Sequence, residues 1–505
     1  MPAIFLTTLN AQYIHASLGL RYLLANLGEL RERAVLREYI IDQRPIDIVE
    51  KILAEEPAIV GLGVYIWNVT ACEEVVALLK QVRPDVMVVL GGPEVSYECE
   101  QQRIVQLADY VISGQGDVAF ADLCRRVLAG ERPAEKIIRA EVPTLEQLEM
   151  PYRYYSDDDI AKRLIYVEAS RGCPFKCEFC LSSLDKTAWP FALERFLAEM
   201  QTLYQRGARH FKFVDRTFNL NVKASQRILD FFLERMTPDL FVHFEIIPDH
   251  LPEALKETIA RFPPGALQFE IGIQTLNPDV QANISRKQDD GKTAANLRWI
   301  REHSHAHIHA DLIIGLPGES LDSFARGFNR LVALDPHEVQ VGILKRLRGT
   351  TLDRHTQAFG MRYNPQPPYN ILANDLLDFA TMQRLSRFAR YWGMIANSGR
   401  YVHAKSLLLG DDPFARFLRF SDWLYATTGQ THRFAQDRLF DFVFEGMTQS
   451  LGVDAEAARA ALTRDYHECG ARGAPKFLSA GSRAPRKSPS SLSSSTRRQA
   501  LHRRD

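Results

Sequence analysis

The stretch from Arg171 to Leu181, RGCPFKCEFCL, constrains this chain more than any other. It sets Cys173, Cys177 and Cys180 in the spacing Cys-x3-Cys-x2-Cys. A closed thiolate site uses four ligands, so three in one short loop describe a centre left open at one position. Soft thiolates suit an iron–sulfur cluster or zinc, and the spacing alone leaves both open. The run Leu164 to Ala169 reads as a strand leading into the loop. That puts the loop at the carboxyl end of a strand, where α/β folds keep their chemistry.

The chain on either side reads as α/β. In residues 1–132, strands are expected at Ile4–Thr8, Glu38–Ile41, Ala58–Val64, Val86–Leu90 and Tyr110–Ile112, with helical patterns between them. Pro84 stops the helix that runs from Thr70 through Val82. Ala58–Val64 and Val86–Leu90 are apolar on both faces, as central parallel strands are. A doubly wound, Rossmann-like sheet follows. Residues 133–160, with Pro133, Pro143, Pro151 and three consecutive aspartates from Asp157, are expected as a linker. Residues 161–365 offer strands at Leu164–Ala169, Phe211–Asp215, Val242–Ile246, Leu267–Ile271, Ile308–Ile314 and Val339–Leu344. Six are too few for an eight-stranded barrel, so a partial, TIM-like (β/α)6 barrel is expected. Residues 366–478 are mostly helical and are expected to cap the barrel mouth. The Ser-, Arg- and Pro-rich residues 479–505 cannot bury a core and are expected to be a disordered basic tail.

Charge and cysteine usage narrow the partners. The 505 residues carry 62 basic and 62 acidic side chains. Seven of the basic and one of the acidic lie in residues 479–505, which leaves 55 (62 − 7) against 61 (62 − 1) in the body. Nucleic acid is therefore not an expected partner. Cys72, Cys99, Cys124 and Cys469 are scattered, which is no disulfide framework; the first three fall in helical patterns and read as packing residues. An open thiolate centre needs a reducing compartment. The start MPAIFLTTLN has no signal-peptide pattern, and no run of about 20 apolar residues suggests a membrane span. The cytoplasm is the expected location, and no membrane partner is expected.

Acidic and amide residues recur on the barrel strands. Asp215, Glu245, Glu270, Gln274 and Asp311 lie on or just after four of them. Inward carboxylates in an apolar sheet are costly unless they meet a ligand, so a polar ligand with amine and hydroxyl donors is expected in the barrel mouth.

These residues carry a resemblance. Cys173-x3-Cys177-x2-Cys180, with Phe179 before the last cysteine, resembles the signature of radical S-adenosylmethionine (radical SAM) proteins. Asp215-Arg216-Thr217-Phe218, Glu270-Ile271-Gly272-Ile273-Gln274 and the run DLIIGLPGE from Asp311 through Ile314 to Glu319 are similar to that family's later strand motifs. The resemblance implies a 4Fe–4S cluster held by the three cysteines, with one iron free to bind S-adenosyl-L-methionine. It implies SAM contacts from Phe179, Asp215, Arg216, Glu245, Glu270, Gln274, Asp311 and Ile314, and an electron donor such as a flavodoxin or ferredoxin.

The first unit resembles the cobalamin-binding domain that precedes the barrel in many radical SAM proteins. Its strand ends carry Asn10 to Gly19, Gly63 with Tyr65, Gly91-Gly92 and Gly114-Gln115-Gly116-Asp117, all on one edge. Glycines there permit close backbone approach to a ligand. The resemblance implies cobalamin contacts from Asn10, Gln12, His15, Ser17, Leu18, Gly63, Tyr65, Gly91, Gly92, Gly114, Gly116 and Asp117. The family's base-displacing string Asp-x-His-x-x-Gly is absent: Tyr13 stands at the aspartate position. The alternating His303, His305, His307 and His309 read as solvated residues at a helix end and strand start. The implied activity is cobalamin-dependent methyl transfer to an unactivated carbon. Rearrangement or oxidation without methyl transfer, or a cofactor-binding sensor, are the alternatives. No motif names the substrate.

Overall fold

The structure is a computed structural model that describes residues 2–185 and 187–478. The expected tail, 479–505, lies outside the described residues. The first sheet contains β1 (Ile4–Asn10), β2 (Ala34–Ile40), β3 (Ile59–Gly63), β4 (Met87–Gly91), β5 (Tyr110–Ser113) and β6 (Ile137–Arg139), in the order β2-β1-β3-β4-β5-β6. Every pairing is parallel. The two faces bury separate cores: Phe5, Val60 and Val88 on one side, Ile4, Leu6 and Val89 on the other. That is why these strands read as continuous apolar runs. The order reverses between β1 and β3, and open α/β sheets bind ligands at such a point.

The sixth strand corrects the expected linker. Ile137–Arg139 pairs with β5, and Asp157–Lys162 is a helix capped by Ser156. Residues 133–160 are therefore part of the packed structure.

The second sheet contains β7 (Ile165–Val167), β10 (His210–Phe213), β11 (Phe241–Ile246), β12 (Leu267–Gln274), β13 (His307–Ile314) and β14 (Glu338–Ile343). Its order, β14-β13-β12-β11-β10-β7, follows the chain, and all pairs are parallel. Between β7 and β10 lies a short hairpin, β8 (Ser170–Arg171) with β9 (Trp189–Pro190). A second hairpin, β15 (Arg362–Tyr363) with β16 (Ile371–Ala373), follows β14. The barrel is open, with β7 and β14 as free edges.

The C-terminal region is helical, as expected. Its helix Phe379–Met394 packs on β14. Phe388 and Trp392 meet Phe328 of the barrel helix Leu321–Val332 at ring distances of 5.2 and 4.7 Å, and Phe414 joins them at 5.8 Å. Burying these rings pulls the region onto the barrel's outer flank.

One buried acid in this scaffold gives a pH test. Glu319 is 2% exposed and accepts from Thr275 Oγ1 at 2.7 Å and Ser323 Oγ at 3.3 Å. Burial pushes its carboxyl from the ordinary 4.5 up to about 7. The folded chain thus keeps a proton that the unfolded chain releases, so this group's contribution to stability falls as pH rises from 4.5 to 7 and is flat above. Glu319→Gln is expected to remove that slope. The stability difference between variant and wild type should change in the variant's favour by on the order of 3 kcal/mol from pH 4 to pH 8. Urea denaturation at both pH values checks this.

Candidate functional site

The β8–β9 hairpin presents the cysteine loop. Gly172 adopts φ +88, and a Cβ there would lie 2.0 Å from the Thr187 carbonyl oxygen, so only glycine fits. The Cys173 amide donates to the Asp185 carbonyl at 3.2 Å, and the Cys180 amide to the Cys177 carbonyl at 3.1 Å. Cys173 and Cys177 are buried and Cys180 is half-buried. All three line a cavity of about 260 Å³. Among the described residues, no three His, Cys, Asp or Glu side chains converge as ligands of one ion. Burial pushes the Cys173 and Cys177 thiols up; the Arg286 guanidinium, 3.7 Å from Cys177 Sγ, pulls the other way.

Phe179, Arg216, Glu245, Glu270, Gln274 and Asp311 line the same cavity. Glu245 and Glu270 are registered neighbours on β11 and β12. Two adjacent carboxylates repel, so cations must stand by. Arg216 Nη1 lies 2.6 Å from Glu245, and Lys212 Nζ lies 3.4 Å from Glu270. Burial raises Glu270, but His243, whose Nε2 stands 3.1 Å away, and the charge of Lys212 bring it well below the carboxylate range. Burial favours neutral His243, so Lys212 is the charge that holds Glu270 ionised. Asp311 is pushed well up by burial and then by Glu270 and Glu245. Its Oδ1 is buried without a hydrogen-bond partner; His309 Nε2 is 3.6 Å away. Near Gly272, the Gln274 side chain folds back over the strand from a left-handed residue, φ +68, and Arg286 Nη2 donates to the Gly272 carbonyl.

Two expected members stand apart from the cavity lining. Asp215 turns toward the start of the hairpin, accepting from the Ala169 amide at 3.0 Å and Ser170 Oγ at 2.7 Å, with its carboxyl pushed up to about 7 by burial. Ile314 is packed in the barrel wall.

The carboxyl edge of the first sheet borders a second cavity, of about 860 Å³. Asn10, His15, Ser17, Leu18, Gly63, Tyr65, Gly91, Gly92, Gly114, Gly116 and Asp117 line it; Gln12 is exposed outside it. Gly92 adopts φ +107 with Val64 packed against it: a Cβ would meet the Val64 carbonyl oxygen at 2.5 Å. Tyr65 stacks on Trp67, centroids 4.4 Å apart. The opposite wall is the barrel's, with Tyr166, Arg171, Gly172 and Arg216. Arg216 thus lines both cavities.

Three loops of the first sheet are tied to the barrel. After β1, His15 Nδ1 and the Tyr166 hydroxyl are 2.7 Å apart, and the Leu164 amide donates to the Ile14 carbonyl at 3.0 Å. After β4, Glu94 and Glu98 meet Arg348 at 3.0 and 2.9 Å, and Arg346 meets Glu98 at 3.1 Å. After β5, Asp117 takes both Nη atoms of Arg171, at 2.9 and 3.1 Å. Arg171 also pairs with Glu168 at 2.8 Å and lies over the Tyr22 ring at 4.4 Å.

Sequence reasoning gave no role to Tyr166, Arg171, Lys212 or Arg286. Lys212 was within reach, because it alternates with Phe211 and Phe213 and so faces inward. The expectation for the histidines needs one correction. His307 is buried and stacks on His337 at 4.6 Å, because its strand position faces the packed end of β14; His303 and His305 are exposed. Cys72 and Cys124 are buried in helices, and Cys99 is half-buried in a short turn.

Three family matches tile the chain: residues 6–124 match the B12 binding domain, 167–331 the radical SAM superfamily and 357–503 a protein family of unknown function, DUF4080. An uncharacterized methyltransferase of Pyrococcus horikoshii is 25% identical over 66% of this chain and 77% of its own length. The cobalamin-dependent radical SAM methyltransferase TokK of Streptomyces tokunonensis is 25% identical over 62% of this chain, and the match spans about half, 51%, of TokK. Among solved structures, the cobalamin-dependent S-adenosylmethionine radical enzyme OxsB with aqua-cobalamin bound shares the fold at a TM-score of 0.61 and 15% identity, over 92% of this chain and 79% of its own. No helix among the described residues is long and apolar enough to cross a membrane.

Proposed function

From a radical SAM enzyme that carries a B12-binding domain, we propose a cobalamin-dependent methyltransferase that acts on an unactivated carbon. The observation that carries this reading is the shared wall at Arg216: the cysteine-lined cavity and the glycine-edged cavity meet there. The methyltransferase names of the 25% identical relatives support the choice of reaction.

The residues present fit the groups this reading needs. Three thiols on the wall of one cavity suit a cluster with an iron for each thiolate. A coordinating metal replaces the thiol protons that burial retains. The orphaned Asp311 Oδ1 asks for a donor such as a ribose hydroxyl or an ammonium. Phe179, Glu245, Glu270 and Gln274 would hold SAM with it, and Arg286 would help to neutralise the cluster. The glycine loops and the large cavity suit a corrin, with His15 turned by Tyr166 at its edge. When bound, the cluster and SAM supply a 5′-deoxyadenosyl radical, and cobalamin supplies a transferable methyl group. The chain's own work is to hold both groups at one cavity wall, to keep Glu270 ionised with Lys212 and Glu245 paired with Arg216, and to keep water out. A reduced flavodoxin or ferredoxin would deliver the electron, and the thiolate centre would be kept in the reducing cytoplasm.

Anaerobic reconstitution with SAM, hydroxocobalamin and a strong reductant tests the reading. The expected products are 5′-deoxyadenosine and S-adenosylhomocysteine together. 5′-deoxyadenosine alone would point to rearrangement or oxidation, and neither product would sink the radical reading.

The glycine edge gives a binding prediction. Gly92→Ala forces a Cβ against the Val64 backbone in a left-handed conformation. Strain of about 1–3 kcal/mol should displace the loop and lower the retained corrinoid by about tenfold or more. The absorbance of corrinoid kept after gel filtration reads this, and unchanged retention would show that the loop does not meet the cofactor.

A further inference from the structure

One acid, Glu178, stands among the three cysteines, directly after Cys177. It is 4% exposed, and a carboxylate so placed needs several donors. They come from two distant segments. Oε1 accepts from Ser285 Oγ at 2.5 Å and from Arg354 Nη2. Oε2 is 2.7 Å from Arg354 Nε and 2.8 Å from His355 Nε2. The Glu178 amide donates to the Ile284 carbonyl at 3.1 Å. His355 is itself buried and packs beside Phe359 at 5.6 Å.

The topology gives this cluster its meaning. The cysteine loop follows β7, one free edge of the open barrel, and Arg354 and His355 lie in the turn Thr351–His355 that follows β14, the other free edge. Strand pairing does not join those edges. Glu178 bridges the loops beyond them. Ser285 brings in a third loop, the one after the helix Pro278–Asn283 that follows β12, and holds a left-handed φ of +53 while doing so. The next residue, Arg286, reaches Cys177 Sγ and the Gly272 carbonyl. So residues 284–286 grip the cysteine loop by backbone, hydroxyl and guanidinium.

We propose that Glu178 is a positioning residue: with Ser285, Arg354 and His355 it clamps the cysteine loop across the open side of the barrel and so fixes where the three thiols stand. A bidentate arginine fork sets direction as well as distance, and buried His and Ser donors complete the carboxylate. Outer partners of this kind govern how tightly a metal group is held. What the thiols hold rests on the radical SAM reading; that the loop is clamped does not.

Two arms keep those ideas separate. In the first, the full chain is made iron-free, and alkylation of Cys173, Cys177 and Cys180 by iodoacetamide is followed by mass spectrometry. Glu178→Gln, which keeps the shape but loses the charge, and Glu178→Ala are expected to speed alkylation of Cys177 at least several-fold. Cys72 and Cys124, buried in the first unit, should keep their wild-type rates. In the second arm the cluster is reconstituted anaerobically. Glu178→Gln is expected to lose iron to a chelator about tenfold faster than wild type, and the electron paramagnetic resonance spectrum of its reduced cluster should broaden. If Glu178 variants fail to fold, Arg354→Ala, at an exposed side chain, should show the same changes to a smaller degree. Unchanged alkylation rates in Glu178→Gln or Arg354→Ala overturn the clamp. A wild type that takes up no cluster overturns the radical reading and leaves the alkylation arm to judge the clamp.

Discussion

Cys177→Ala is expected to abolish 5′-deoxyadenosine formation while leaving corrinoid binding intact. Cys177 is buried at the cavity wall, beside Arg286 and next to the clamped Glu178. Removing its thiolate takes away one of three attachments of the proposed cluster. The remaining two cannot hold a site that already leaves one position open. Iron should fall from about four per chain to near background, and the brown absorbance should vanish with it. The glycine-edged cavity lies against the first sheet and contains none of the three cysteines, so hydroxocobalamin retention should match wild type. Iron analysis and the visible spectrum of one anaerobic preparation read both outcomes. A variant with full iron would refute the ligand assignment.

The second large effect is expected at Arg171. Its guanidinium, 13% exposed, faces Asp117 of the first unit and Glu168 of the barrel at the same time. Arg171→Ala leaves two buried carboxylates facing each other with no cation between them. Breaking a buried pair on one side costs about 3–5 kcal/mol, most of it from the stranded charge. Burial already pushes Glu168 up, so the variant should take up a proton there and lose more stability at pH 8 than at pH 5. The residue also adjoins Gly172, so corrinoid and iron retention should both fall. Thermal melts at the two pH values, with iron and corrinoid measured on the same sample, check this. The triple variant that also carries Asp117→Asn and Glu168→Gln should recover much of the stability. If it does not, the loss comes from packing over Tyr22 instead.

Much of this architecture was legible from local pattern. The doubly wound sheet could be read because both of its faces are buried, so Ala58–Val64 and Val86–Leu90 are apolar throughout. Period-two alternation placed Glu245, Glu270 and Asp311 on one side of their strands, and they do share a cavity. The same reasoning failed for Asp215, which stands past the end of its strand, where a carboxylate can turn back to the Ala169 amide and the Ser170 hydroxyl. Gln12 was grouped with its loop, yet one loop can point neighbouring side chains in opposite directions. Arg171, Arg286 and the Glu94–Arg348 pair were hidden for a different reason. Their partners lie 54, 109 and 254 residues away, and one sequence does not record such pairings. The C-terminal helices were readable as helices, but an apolar stripe says that a face is covered, not by what. The aromatic cluster of Phe328, Phe388, Trp392 and Phe414 supplies that answer.

The strand Ile137–Arg139 separates two boundaries that would otherwise be taken as one. The B12 binding domain match ends at residue 124, but the ladder of the first sheet ends at residue 139. The Val111 amide donates to the Lys136 carbonyl at 2.8 Å, and the Ala140 amide to the Ser113 carbonyl at 2.9 Å. A chain cut at the end of the match therefore strips β5 of its neighbour and leaves unpaired amides and carbonyls beside the apolar Val111 and Ile112. Such an edge is a template for pairing with another chain. The unit of homology is shorter than the sheet it belongs to, and the residues that complete the sheet fall in none of the three family matches.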